Sequence, residues 1–466
     1  MKRNDVLIGG AWKTAKRTAG VENPATGTVF GRTALGDSDD VDAAVAAAHK
    51  SLAAWSTTSP TDRADQIERL VDVLQLRMDD LVEVMVAEVG APVEMARSVH
   101  VELSLDILRS AAAHGRALTD RSFENVNVVH RAAGVAALIT PWNYPLYQLA
   151  AKVGSALAAG CTVVHKPSEL TPLSAYVFAE ATIEAGLPPG VFNMVPGTGI
   201  EVGAPLAAHP GVDVVSFTGS TAVGRQVAAA AVGHFARITL ELGGKSSSIV
   251  CDDADLDEAV RATVEACMLN SGQTCSALTR LLVPARMLDD AVRIAADHAD
   301  AMVLGDPNDP RTQLGPLVSD TQRRRVLGHV AAAVSRGARI VTDTDRTIPA
   351  EGYFVRPVVL TDLPPHDPAS QEEIFGPVLV VHGVTSDDHA VAVANDTPYG
   401  LAGAVWSEDV ARAQSIAARL DTGQVFINDA EFTVESPFGG WKHSGFGREL
   451  GVEALGEFTE LTAIHR

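Results

Sequence analysis

Cysteine is scarce: four in 466 residues (Cys161, Cys251, Cys267 and Cys275), none in a Cys-x-x-Cys pair. That excludes a disulfide framework and leaves each thiol free unless used, as in a reducing compartment. The 14 histidines are scattered, and none joins cysteine at zinc-ligand spacing, so no metal is expected. Cys161 and His165 flank a strand-like Thr162-Val-Val164 and read as structural. Basic residues are outnumbered, 37 against 58 acidic, and the formal charge of −21 argues against nucleic acid or anionic membranes as partners. The opening Met-Lys-Arg-Asn-Asp-Val-Leu-Ile-Gly-Gly lacks the apolar core, about 7–15 residues, of a signal peptide. Long apolar runs are missing too, except that residues 132–151 carry no charge over about the length of a membrane helix. Pro141, Asn143 and Pro145 interrupt that stretch, which favours a buried strand and loop. A cytoplasmic protein is expected by default. Internal repeats and low-complexity tracts are absent.

What is there is an ordinary globular composition, 46% hydrophobic and 20% charged, in a chain long enough for two or three domains. Asn23-Pro-Ala-Thr-Gly27 is a turn between two short strand candidates. Helical periodicity predicts helices over 39–55, 62–89 and 94–114, the second carrying Ile67, Leu70, Val71, Leu74, Met78, Leu81, Val82 and Met85. From Val135 strands alternate with helices, the pattern of a parallel sheet covered on both faces. Strands are predicted at 135–139, 162–164, 191–195, 212–217 and 238–242, with helices at 147–159, 174–185 and 221–231. A second alternating block follows, with strands at 248–251, 280–283, 378–381, 405–406 and 425–428 and helices at 257–270 and 288–302.

Two segments carry the sharpest chemistry. Ile238-Thr-Leu-Glu-Leu-Gly-Gly-Lys245 delivers Glu241 from an apolar strand into a Gly-Gly turn, where an acid costs free energy unless partnered or used. Asn270-Ser-Gly-Gln-Thr-Cys-Ser276 sets Cys275 among small polar residues that leave a thiol accessible. A carboxylate and a thiol suffice for covalent chemistry followed by hydrolysis. Alone, the two segments fit a salt-bridged glutamate and a buried structural cysteine equally well. Other strand ends add to them, since sheets of this type bind ligands there. Thr140-Pro-Trp-Asn-Tyr-Pro145 holds the Asn143 amide between two prolines, a rigid donor suited to an oxyanion. His165-Lys-Pro-Ser-Glu169 places a cation and a carboxylate three residues apart, a set for ribose hydroxyls or a pair of solvated loop charges. Phe217-Thr-Gly-Ser-Thr-Ala-Val-Gly224 opens a helix whose free amides suit a phosphate. Gly197-x-Gly199-x-x-x-Gly203 has the wrong spacing for a dinucleotide fingerprint.

In this order the motifs resemble the NAD(P)-dependent aldehyde dehydrogenase superfamily over essentially the whole chain. Leu7-Ile-Gly-Gly-Ala-Trp12 and Asn23-Pro-Ala-Thr-Gly27 look like the family's N-terminal strands. Pro141-Trp-Asn, Lys166-Pro-Ser-Glu, Phe217-Thr-Gly-Ser, Leu240-Glu-Leu-Gly-Gly-Lys, Gly272-Gln-Thr-Cys, Glu373-Ile-Phe-Gly-Pro and Ser436-Pro-Phe-Gly-Gly-Trp-Lys-His-Ser-Gly match its motifs in order. Met268 departs from the residue that usually opens the cysteine signature. The resemblance implies an α/β fold: a Rossmann-type NAD-binding domain (1–113 and 133–241), an α/β catalytic domain (242–431), and a β-ribbon oligomerisation element with the C-terminal segment (114–132 and 432–466). It implies oxidation of an aldehyde to the acid with NAD, in a homodimer or homotetramer. Cys275 would be the nucleophile, Asn143 with the Cys275 amide the oxyanion site, and Glu241 the base for hydrolysis. Lys152 and Glu449 would relay protons, although a surface pair with Arg448 fits Glu449 as well. The cofactor would be held by Thr140, Trp142, Lys166, Ser168 and Glu169, by Gly203, Phe217, Gly219 and Ser220, and by Leu242, Gly243, Glu373 and Phe375. Glu169, where a ribose 2′-hydroxyl would sit, implies NAD over NADP. A CoA-acylating relative is disfavoured by Glu241, and a silent member of the fold by Cys275, Asn143 and Glu241 together. The aldehyde tunnel would be lined by Tyr147, Ala151, Thr274, Ser276, Glu431, Phe432 and Thr433. With no arginine between 428 and 436, a neutral aliphatic or aromatic aldehyde is expected over a carboxylated one.

Overall fold

The uninterrupted apolar run Val135-Ala-Ala-Leu-Ile139 forms a strand whose successive residues enter different cores, as a period of two requires. Ala136 and Leu138 pack with Ile67, Leu105 and Leu149 from the helices on one side. Val135, Ala137 and Ile139 pack with Val41, Val45 and Val227 on the other. The computed structural model describes residues 3–466; the first two residues, where the segment read as lacking a signal core begins, lie outside the described residues.

Val135–Ile139 is central to an eight-stranded sheet. In order the strands are Gly445–Phe446, Arg237–Glu241, Val214–Thr218, Val135–Ile139, Thr162–Lys166, Phe192–Met194, Asp5–Ile8 and Ala11–Thr14. The five from Arg237–Glu241 to Phe192–Met194 run parallel. The chain leaves Val135–Ile139 toward Thr162–Lys166 and Phe192–Met194, then returns to its other side with Val214–Thr218. Strand order therefore reverses beside Val135–Ile139, and a crevice opens past its carboxyl end.

A second sheet of seven strands runs from Arg339–Ile340 through Val358–Thr361, Val378–Val384, Arg280–Pro284, Ser247–Val250 and Ala402–Trp406 to Gln424–Ile427. All its pairs are parallel except the first. A third sheet joins Thr459–His465, Val126–Ala132 and Arg121–Ser122, antiparallel.

Two helices differ from expectation. The 62–89 pattern divides into Pro60–Leu76 and Met78–Val89 at Arg77; the first half packs chiefly on Leu103–Ala117 and the second chiefly on Ala96–Glu102, while both touch Leu173–Glu184. Periodicity continues across the break, so it leaves no mark in the pattern. The 94–114 helix contains a π-helical turn, Ala96–Glu102, and runs on to Ala117, so the ribbon begins at Arg121. Among the described residues no helix is long and apolar enough to cross a membrane.

Candidate active site

Glu241 ends its strand opposite Thr218 on one side and Gly445 on the other. The segment from the Ser436-Pro-Phe-Gly-Gly motif presses against it: a Cβ on Gly439 would lie 2.6 Å from Glu241 Oε1. The carboxylate is 2% exposed and neither oxygen has a hydrogen-bond partner. Burial, reinforced by the nearby Glu449 charge, pushes it well above the usual carboxylate range. Behind it Lys152 Nζ donates to Ser216 Oγ at 2.9 Å and pairs with Glu449. Glu449 is buried, and Arg448 turns instead to the carbonyls of Gly440 and Gly447, so the surface-pair reading does not hold.

Cys275 follows a turn that only a crowded backbone explains. Asn270, Ser271 and Gly272 are consecutively left-handed (φ 53°, 55° and 75°). A Cβ on Gly272 would lie 2.1 Å from the Gly376 carbonyl, so glycine is obligatory. Asn270 Nδ2 donates to the Asn143 carbonyl (2.9 Å) and Asn143 Nδ2 to the Gln273 carbonyl (2.8 Å). The Tyr144 hydroxyl meets Thr274 Oγ1 at 2.6 Å. The segment 143–144 is thus stitched to the turn before Cys275, and one Asn143 N–H is left for the cleft. Burial pushes the Cys275 thiol up, and the Glu373 and Glu241 charges add to it. Thiol, amide and unpaired carboxylate line one cleft of about 140 Å³, a set suited to addition, charge stabilisation and hydrolysis.

The same cleft takes in Trp142, Gly219, Ser220, Leu242, Gly243, Glu373 and Phe375. Glu373 Oε1 accepts from the Gly244 amide at 3.1 Å, and a Cβ on Gly243 would strike its carboxylate. Ser220 caps the Thr221–Val232 helix through the Val223 amide, with the helix N-terminus at the cleft. Trp142 and Phe375 meet edge to face, 5.3 Å between ring centres. A buried acceptor, a helix N-terminus and two aromatic rings on one cleft fit a dinucleotide. Lys166 and Glu169 form an ion pair at 3.1 Å past the next strand end, with Ser168 between them. Thr140 is bonded to His165 and Phe217 lies against Gly219; neither is among the cleft residues. Gly203 lies in the Gly199–Gly203 turn and is not among the cleft residues.

Gln148, Gln322 and Arg325 line the cleft without having stood out in the sequence. Gln322 Nε2 donates to the Phe375 carbonyl (2.8 Å) and Arg325 to that of Glu373 (3.0 Å), holding that loop from a helix some fifty residues earlier. Nothing local marks them. Gln148 had a signal, its place one helical turn before Lys152.

On the far side of Cys275 lies a second cavity of about 540 Å³. Its walls are apolar and aromatic, among them Val99, Leu103, Tyr147, Trp406, Phe426 and Phe432. Tyr147, Thr274, Ser276 and Phe432 line it as expected; Ala151, Glu431 and Thr433 do not. Ala151 is turned into the core, and the one charged side chain in the wall is Asp429.

The chain matches the sequence profile of the aldehyde dehydrogenase family over residues 12–464. It is 43% identical to 3-succinoylsemialdehyde-pyridine dehydrogenase of a Pseudomonas species, covering 99% of this chain and 98% of that protein. With geranial dehydrogenase of Castellaniella defragrans it shares 39%, covering 99% and 98%. Aldehyde dehydrogenase C of Pseudomonas syringae, solved with NAD+ and octanal, superposes with a TM-score of 0.97 at 42% identity, covering 99% of this chain and 96% of that one.

Proposed function

The chain belongs to the aldehyde dehydrogenase family, and from that premise we propose that it oxidises neutral, apolar aldehydes to carboxylic acids with NAD, by hydrolysis of a Cys275 thioester. The observation that carries this is the place of Cys275, where an apolar cavity meets a polar cleft. Cys275 adds to the aldehyde carbon, and Asn143 holds the oxygen as it becomes negative. NAD, when bound, accepts the hydride that leaves that carbon. Glu241, buried and unpaired, takes a proton from water as the water attacks the thioester. Lys152 and Glu449 carry that proton away. Glu373 and the Lys166–Glu169 pair hold the two ribose rings.

The relatives' names support the substrate class: geranial is a neutral apolar aldehyde, and the Pseudomonas syringae enzyme was solved with octanal. For the domains we assign 1–113 with 133–241 to the cofactor, 242–431 to catalysis, and 114–132 with 432–466 to assembly. The outer strand of the third sheet, Thr459–His465, exposes Leu461 and Ile464, which supports a homodimer or homotetramer. A cytoplasmic enzyme is the remaining part of this reading. The test is NADH formation from octanal without added thiol. Turnover that Cys275→Ala abolishes, with octanoate as product, is expected; dependence on CoA with acyl-CoA as product would replace hydrolysis by acyl transfer.

A further inference from the structure

Two residues line both cavities, Cys275 and Gln148. Gln148 ends the first turn of the Pro145–Ala159 helix and is 4% exposed. Its Oε1 accepts from Thr218 Oγ1 at 3.0 Å, and Thr218 lies beside Glu241 in the sheet. The bond takes up the amide oxygen and leaves the nitrogen to the cavities that Gln148 and Cys275 both line. Its nitrogen carries two N–H donors that no described protein group takes up, and the residue lies in the walls of both cavities. A donor left open to the cavities in this way is available to a ligand oxygen. Asn143, by contrast, already donates one N–H to Gln273.

We propose that Gln148 is a catalytic residue, its amide donating to the oxygen on the carbon joined to Cys275. This rests on Cys275 being the nucleophile. When the C–S bond forms, the carbonyl π pair moves to oxygen, and the charge develops in the space that Cys275 and Gln148 share. The pair returns to re-form C=O as the hydride leaves for NAD, which is reduced while the carbon is oxidised. Attack of water on the thioester charges the same oxygen again, and its collapse expels the Cys275 sulfur. Gln148 transfers no proton; it acts by position and polarity.

Three variants separate this role from packing. Gln148→Met keeps the volume and removes the donor. Gln148→Glu keeps the shape and the Thr218 bond but turns an acceptor on the reacting oxygen. Thr218→Val frees the amide to rotate. The readout is the first-turnover rate of NADH formation from octanal with NAD-loaded enzyme in excess, beside the NAD Kd from fluorescence. We expect the rate to fall about 10- to 100-fold in Gln148→Met, less than a principal oxyanion donor gives. Gln148→Glu falls further, Thr218→Val less, and in each the NAD Kd changes by a smaller factor than the rate. A Gln148→Met rate equal to wild type, or a Gln148→Glu rate at or above that of Gln148→Met, overturns the proposal. If Cys275→Ala turned over octanal, the nucleophile reading and this proposal would fall together; loss in Cys275→Ala with no effect at Gln148 sinks this proposal alone.

Discussion

In the proposed role Glu373 holds a ribose as a carboxylate, although burial disfavours its charge. Burial pushes it up to about 7, while the Gly244 amide pulls the other way. The ionised form offers both oxygens to ribose hydroxyls, and protonation removes one acceptor. NAD affinity should therefore be full above about pH 7 and weaken as pH falls through that value. Glu373→Gln should bind more weakly and lose most of the pH dependence, as a fluorescence titration between pH 6 and 8.5 would reveal. Glu169 sets a second expectation. Lys166 pairs with it at the strand end, where a 2′-phosphate would meet a like charge at a cost of about one to several kcal/mol. We expect a higher kcat/KM with NAD than with NADP, and a narrower gap in Glu169→Gln; a wild type that prefers NADP would void the assignment. Most of these residues were legible because each sits in a short motif whose composition states its chemistry. Gln322 and Arg325 were not, since their partners are main-chain carbonyls of a distant loop.

At the level of elements, the turn before Cys275 concentrates the constraint. Three left-handed residues in a row place the thiol, and Gly272 among them lies against the Gly376 main chain. Gly272→Ala meets a left-handed backbone, about 1–2 kcal/mol for a residue with a Cβ, and a main-chain clash besides. It should lower the Tm and cut octanal turnover strongly while NADP discrimination persists, because Glu169 lies on another element. Wild-type turnover in this variant would mean that the turn does not position Cys275. Strands were the most legible elements: the apolar run at 135–139 is bounded as the sequence implies. The break at Arg77 and the π-helical turn at Ala96–Glu102 were hidden, since apolar spacing hardly changes across either. That turn bears on the proposed substrate site, because Val99 within it and Leu103 just after it wall the apolar cavity.

For the whole molecule, the order of motifs was readable but their closure in space was not. Gly445–Phe446 pairs with Leu240 and Glu241 across some two hundred residues, and Thr459–His465 pairs with Val126–Ala132 across more than three hundred. No local pattern encodes such pairings; the second was implied by the family resemblance alone, and the first closes one side of Glu241. The arrangement of two cavities meeting at Cys275 predicts selectivity. With apolar walls and Asp429 as the one charge, kcat/KM should be higher for octanal and benzaldehyde than for succinic semialdehyde. Asp429→Asn should narrow the difference, and succinic semialdehyde emerging as the best substrate would overturn the reading of the cavity. The central claim is that Cys275 carries the acyl group and Glu241 releases it. Rapid mixing of octanal with NAD-loaded Glu241→Gln, following NADH absorbance, tests it most directly. The account predicts a first turnover that survives, an acyl adduct on Cys275 by mass spectrometry, and later turnovers slowed about 10²–10⁴-fold. A first turnover lost as completely as the later ones, or a steady state left untouched, would contradict it.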